Sequence, residues 1–142
     1  MAESTPLEDP ETGLKSKHLG FIKMSVLAGH KAEQVNKAIK ENIDEKSIVF
    51  TDKSKSYIDI AKYVDAHFTY KSNPNTTNNE LKWVHVVISN AKRTLLGIYH
   101  KIKGKYLQLY LDEFCYKLNR RYFGNRLFER LTLAVAKSYW QD

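Results

Sequence analysis

Residues 47–52 read Ser47-Ile48-Val49-Phe50-Thr51-Asp52. Three consecutive apolar residues of β-branched or aromatic type, bounded by small polar ones, predict a short strand. A run without polar alternation predicts a strand at the centre of a sheet covered on both faces. Upstream, Ala32, Val35, Ala38, Ile39 and Ile43 fall near helical spacing and predict an amphipathic helix over 31–43, and Leu19–Leu27 (LGFIKMSVL) reads as a strand before it. Residues 1–17 carry Pro6, Pro10 and Gly13 in a polar stretch and read as a disordered lead-in to a domain spanning 18–142. Downstream, Ser56–Val64 reads as a short helix with Tyr57, Ile60, Ala61 and Val64 on one face, and Ala66–Tyr70 as a further strand. A polar loop, Lys71–Asn79, leads to three helices over about 80–98, 105–118 and 126–139. This order predicts an α/β domain with a central mixed sheet and flanking helices, and 142 residues are enough for one core.

Charge is divided unevenly along the chain. Residues 1–80 hold 11 Lys and Arg against 12 Asp and Glu, whereas residues 81–142 hold 12 against 4. The net of −1 in the first part and +8 in the second gives the chain its +7. From Leu81 to Leu111 there is no acidic residue, while Lys82, Lys92, Arg93, Lys101, Lys103 and Lys105 stand there with His85 and His100, among Trp83 and several tyrosines. Cations set among aromatics suit an anionic polymer better than a small neutral metabolite. Cys115 is the single cysteine, which excludes an internal disulfide and a cysteine-rich zinc site, and its place in an apolar helical pattern reads as a small buried hydrophobe. The acidic N-terminus has no apolar core of signal-peptide length, and no run approaches the ~18 apolar residues of a membrane span, so a cytoplasmic protein is expected.

Two places carry candidate chemistry. Asp52 closes the apolar strand, and catalytic groups of α/β sheets gather at the carboxyl ends of strands. A carboxylate there can hold Mg²⁺, which takes few protein ligands; it can equally cap a turn. In the helix beginning near Glu80, Val84, Val87, Ile88, Ala91 and Leu95 form an apolar stripe. His85, Ser89 and Lys92 follow at i, i+4 and i+7 and share another face, while Asn90 lies about 140° from His85 at about 100° per residue. His18, His30, His67 and His100 have no His or Cys partner at zinc-ligand spacing. Arg120 and Arg121 end the helix Tyr106–Leu118, where paired guanidiniums could clamp phosphates or simply favour a helix C-terminus.

Taken together, four ordered motifs resemble a bacterial insertion-sequence transposase. They are Thr51-Asp52 with Tyr57, WVHVVISNAKR at 83–93, LLGIYH at 95–100, and YLQLYLDEFCYKLNRR at 106–121. LFERL at 127–131 extends the likeness, which covers roughly residues 19–135. The family is the DDE type with a ribonuclease-H-like catalytic domain. The resemblance implies metal-dependent phosphodiester cleavage and strand transfer on DNA, with Mg²⁺ or Mn²⁺ as cofactor. It matches Asp52 to the second acidic position of the family. It matches His85 to the third, where relatives carry Glu, with Lys92 seven residues on as a DNA contact near the scissile phosphate. Arg93, Lys101, Lys103, Lys105, Arg120 and Arg121 are the further DNA-contact candidates.

The chain also departs from the family. Histidine is an uncommon ligand for Mg²⁺, and Asn90, with a carbonyl oxygen, is the rival third residue. Glu80 lies early and off the motif. Family members carry the first catalytic Asp on the first strand; here Asp9, in the proline-containing lead-in, is a poor substitute. The expectation is therefore a C-terminal part of a transposase lacking its first strands, partnered by a second copy or by an N-terminal transposase fragment. The competing expectation is a basic DNA-binding protein derived from a transposase and without catalysis.

Overall fold

The computed structural model describes residues 1–71, 73, 75, 79–99 and 101–139, with the side chain of Tyr139 not included. The loop expected at Lys71–Asn79 is therefore only partly described, and His100 lies outside the described residues.

The chain opens with a hairpin. Strands β1 (Ala2–Glu8) and β2 (Lys15–Ile22) pair antiparallel, with Glu8 opposite Lys15 and Ala2 opposite Ile22. This corrects the disordered lead-in expected for residues 1–17. The sequence cue was missed because the hairpin is held by backbone bonds and turn chemistry rather than by apolar alternation. The Asp9 amide donates to the Leu14 carbonyl at 3.0 Å, and Gly13 takes the positive φ of 66° that lets the chain reverse. Asp9 Oδ1 accepts from the Glu11 amide at 2.9 Å, a local Asx turn. Pro6 has no N–H to give, which suits its place in an edge strand. Between Ala2 and Ser4 the register shifts, so Gly20 and Phe21 together oppose Glu3. A side chain at Gly20 would strike the Glu3 carboxylate and the Thr5 hydroxyl. The bulge turns Leu19 and Ile22 inward and leaves Phe21 exposed.

Helix α1 (Ala32–Asn42) follows, burying Val35 and Ile39 much as the periodicity predicts. Strand β3 (Ile48–Asp52) then pairs parallel with β4 (Ala66–Tyr70), Ile48 opposite Ala66 and Asp52 opposite Tyr70. Between them, the short helix expected at Ser56–Val64 is two 3₁₀ turns, Lys55–Tyr57 and Ile60–Lys62. Ser54 begins the first, its hydroxyl accepting from the Ser56 amide. Tyr57, Ile60 and Val64 still reach the core as expected, but Ala61 is exposed.

The single mixed sheet expected from the sequence is instead two separate two-stranded sheets among the described residues. Each sheet has its own core. Val35, Ile39, Ile60 and Val64 gather under β3, joined by Val49 and Tyr57. Leu19, Ile22, Val87 and Cys115 gather under the hairpin, joined by Trp83, Phe114 and Leu118. The parallel pair is covered on the Val49 face only, so β3 is not the fully covered strand that its composition suggested. Ile48, Phe50 and Phe68 point the other way and are 57%, 40% and 49% exposed, with Phe50 stacked on Phe68 at 5.5 Å.

The remaining helices are α2 (Lys82–Ile98), α3 (Leu107–Asn119) and α4 (Arg126–Tyr139). The expected stripe of α2 is confirmed: Val87 and Ala91 are buried and pack the helix toward the hairpin. Helix α3 is fastened to the chain beyond β2 by two side-chain amides. Asn119 accepts from the Ile22 amide at 2.8 Å and donates to the Ile22 carbonyl at 2.9 Å, reproducing a strand partner. Gln108, on the same side of α3, does likewise for Val26 N–H at 2.7 Å and Met24 C=O at 3.0 Å. β2 ends at Ile22 instead of running to Leu27 because β1 runs out: Lys23 still pairs with Met1, its amide donating to the Met1 carbonyl at 3.1 Å, and beyond it Met24 and Val26 bond to Gln108 of α3. Replacing Asn119 with Ala leaves the half-buried Ile22 groups unpaired, an expected loss of about 1–3 kcal/mol in urea unfolding. A change below about 0.5 kcal/mol would contradict this role.

Candidate nucleic-acid interface

Helix α2 presents the basic face. His85, Ser89 and Lys92 are all exposed, and so are Lys82 and Arg93. Their exposure follows directly from the apolar stripe on the opposite side, since burying Val87 and Ala91 turns these five residues outward. Lys82 lies 5.1 Å from the Trp83 ring centroid, which steadies its ammonium near the start of the helix. Asn90 is exposed as well. Lys101, Lys103 and Lys105 are exposed in the segment between α2 and α3, with the Lys105 ammonium 4.6 Å from the Tyr106 ring. Across this stretch no acidic side chain offsets the cations.

Asp52 ends β3 exposed, its Oδ1 accepting from the Ser54 amide at 3.1 Å. The turn role and a second oxygen without a partner among the described residues therefore coexist in one carboxylate. Tyr57 sits half-buried nearby, and burial, followed by the negative charge of Asp52, pushes its phenol above the ordinary tyrosine value. The Asp–Tyr spacing thus reflects a strand end followed by a tight turn that returns toward it. Behind Asp52, on the other face of the sheet, the sequence reading missed a contact. His67 Nε2 meets Thr51 Oγ1 at 2.8 Å, and the same hydroxyl donates to the Asp52 carbonyl at 2.9 Å. One hydroxyl hydrogen serves one acceptor, so the proton between Thr51 and His67 belongs to Nε2. No spacing rule could reveal this pair, because it depends on the register of two strands joined by a 13-residue connection.

Burial holds the His67 pKa below the ordinary histidine value of 6.5. The folded state therefore favours the neutral ring, and the unfolded state binds more protons as pH falls through that value. The stabilising contribution is present above about pH 6.5 and is lost on acidification. Urea midpoints measured from pH 8 to 5 are expected to fall more for the wild type than for His67→Gln; equal slopes would contradict this.

Among the described residues no three His, Cys, Asp or Glu side chains are close enough to hold a metal ion. Asp52 closes β3, which joins one core through Val49, and His85 lies on α2, which joins the other through Val87. Asp9 is engaged in its turn, where hydrogen bonds from Glu11 and Thr12 hold its carboxyl below the usual range. One carboxylate and one imidazole are fewer donors than a two-metal centre takes. A surface groove of about 490 Å³ between α1 and the segment 59–63 is lined by Lys37, Lys40, Asp59 and Tyr63, among others, and includes neither Asp52 nor α2.

Arg120 and Arg121 differ from each other. Arg120 stacks over Tyr116 at 3.9 Å. Arg121 donates to the Leu118 carbonyl at 2.8 Å and to the Leu19 carbonyl, closing α3 and tying it to β2. Its guanidinium is thus a strut of the fold.

A family model described as an ISXO2-like transposase domain matches residues 8–119. The chain belongs to this family of DDE-type insertion-sequence transposases. The match includes the hairpin turn, Asp52, all of α2 and all of α3, and it ends before Leu127–Leu131, where the likeness read from the sequence continued. No curated protein and no solved structure matches the chain. Transposases of this type act on DNA and generally use a divalent metal. No helix among the described residues is long and apolar enough to cross a membrane.

Proposed function

We propose that residues 1–142 are the DNA-holding part of a transposase catalytic domain, built on a ribonuclease-H-like plan. The outer face of α2 lies along the phosphate backbone, with Lys92 and Arg93 as principal contacts and Lys101, Lys103 and Lys105 extending the track. The observation that carries this reading is the acid-free basic face of α2, turned wholly to solvent within a family-matched domain. Asp52 is the second acidic position, and His85 or Asn90 stands at the third. Asp52 offers one carboxylate of the family's metal site, and cleavage needs the family's further carboxylates beside it. The first carboxylate comes from a further strand, supplied by an N-terminal transposase segment or a second copy. The edges of β1 and β3 that have no strand partner among the described residues are where such a strand would add. The setting is cytoplasmic.

Duplex binding followed by fluorescence anisotropy from 50 to 300 mM KCl tests the reading. Counterion release gives a log–log slope near −0.9 per phosphate neutralised, so five contacts give a slope of about −4 to −5. Absence of binding at 50 mM, or a flat salt response, would overturn it.

A further inference from the structure

The corner that joins α3 to α4 carries chemistry that the duplex-binding face does not use. Tyr122 is 72% exposed yet fixed in place. The Arg121 guanidinium lies 4.4 Å from its ring centroid and donates to its hydroxyl at 2.9 Å. That guanidinium is itself anchored on the Leu118 and Leu19 carbonyls, so the ring is braced from the fold's interior. An exposed tyrosine ordinarily turns freely; this one presents a preset aromatic face. Next to it, Arg130 stacks over Phe123 at 4.1 Å and ties the first turns of α4 to the 3₁₀ turn Arg121–Phe123. From Tyr116 to Arg130 there are five Lys or Arg and one acidic residue, Glu129.

We infer that this corner binds single-stranded DNA, with a base stacked on the free face of Tyr122 and phosphates held by Arg120, Arg126 and Arg130. A braced ring among cations is the pairing that single-strand binding needs, because every base offers a π-face and every linkage a charge. In a duplex the bases are already stacked and cannot use the ring, so the site distinguishes strand state. Most of it lies beyond residue 119, outside the family match. The inference extends the DNA-binding reading to a second surface and is tested separately from it.

The test titrates the full chain with a labelled 12-nucleotide mixed-sequence DNA strand, an RNA of the same sequence, and a 20-base-pair duplex. Tyr122→Ala is expected to weaken single-strand binding about 5- to 100-fold and to leave duplex binding within about twofold, while Tyr122→Trp retains both. Circular dichroism of the variants guards against loss of fold. Wild-type protein that fails to bind the single strand, an equal loss on both ligands in Tyr122→Ala, or tighter binding of the RNA would each overturn the inference. Failure of the duplex alone would count against the α2 reading and not against this one.

Discussion

Replacing Lys92 and Arg93 together by Ala lowers duplex affinity roughly 30-fold at about 0.15 M salt and reduces the salt slope by about 2. The size follows from counterion release: each phosphate contact contributes close to 0.9 in the slope, hence somewhat under a factor of ten in affinity at that salt. Both side chains are exposed on α2, so their removal takes away charge without opening the core under Val87 and Ala91. Lys37→Ala and Lys40→Ala, on the exposed side of α1, serve as controls and should change duplex affinity less than about threefold. Equal losses from both pairs would mean that only net charge matters and that α2 has no special place in the interface.

The largest effect on stability is expected at Ile60. It is the one described side chain that is fully buried, at 0% exposure, and it sits where α1, β3 and the two 3₁₀ turns meet. Ile60→Ala removes its contacts and leaves a cavity, an expected cost of about 2–5 kcal/mol. Domains of this kind are stable by only about 5–15 kcal/mol, so the loss is a large share of the total. Because the two cores are separate clusters, amide exchange should quicken most in α1 and β3–β4 and least in α2 and α3. A uniform increase along the chain would show that the two clusters melt as one.

Much of this architecture was legible in the residues, and the rest was hidden for physical reasons. Helices α1, α2 and α3 announce themselves because each buries one apolar stripe, and periodicity reports burial on one side. The same signal misjudged β3: Ile48, Val49 and Phe50 are alike in composition, yet only Val49 is covered. The hairpin of β1 and β2 escaped notice because its stability lies in backbone pairing and the Asp9 turn, which polar sequence does not advertise. The roles of Asn119 and Arg121 were hidden for a related reason. Their partners are carbonyl and amide groups of Ile22 and Leu19, about a hundred positions away and identical in every residue. At the site, the exposed face of α2 follows from spacing, and the place of Asp52 at a strand end follows from the apolar run before it. The Thr51–His67 contact required strand register, and the braced Tyr122 required tertiary contacts; neither exists in one dimension.

The central proposal is that these residues hold DNA and depend on a further strand's carboxylate to cleave it. Supercoiled plasmid incubated with the chain and Mg²⁺ or Mn²⁺, then resolved on a native gel beside a deproteinised sample, tests both halves at once. The expected result is a retarded plasmid that remains supercoiled after the protein is removed. Nicking or linearisation that disappears in Asp52→Ala would show a complete catalytic centre and contradict the account, as would a plasmid that is never retarded.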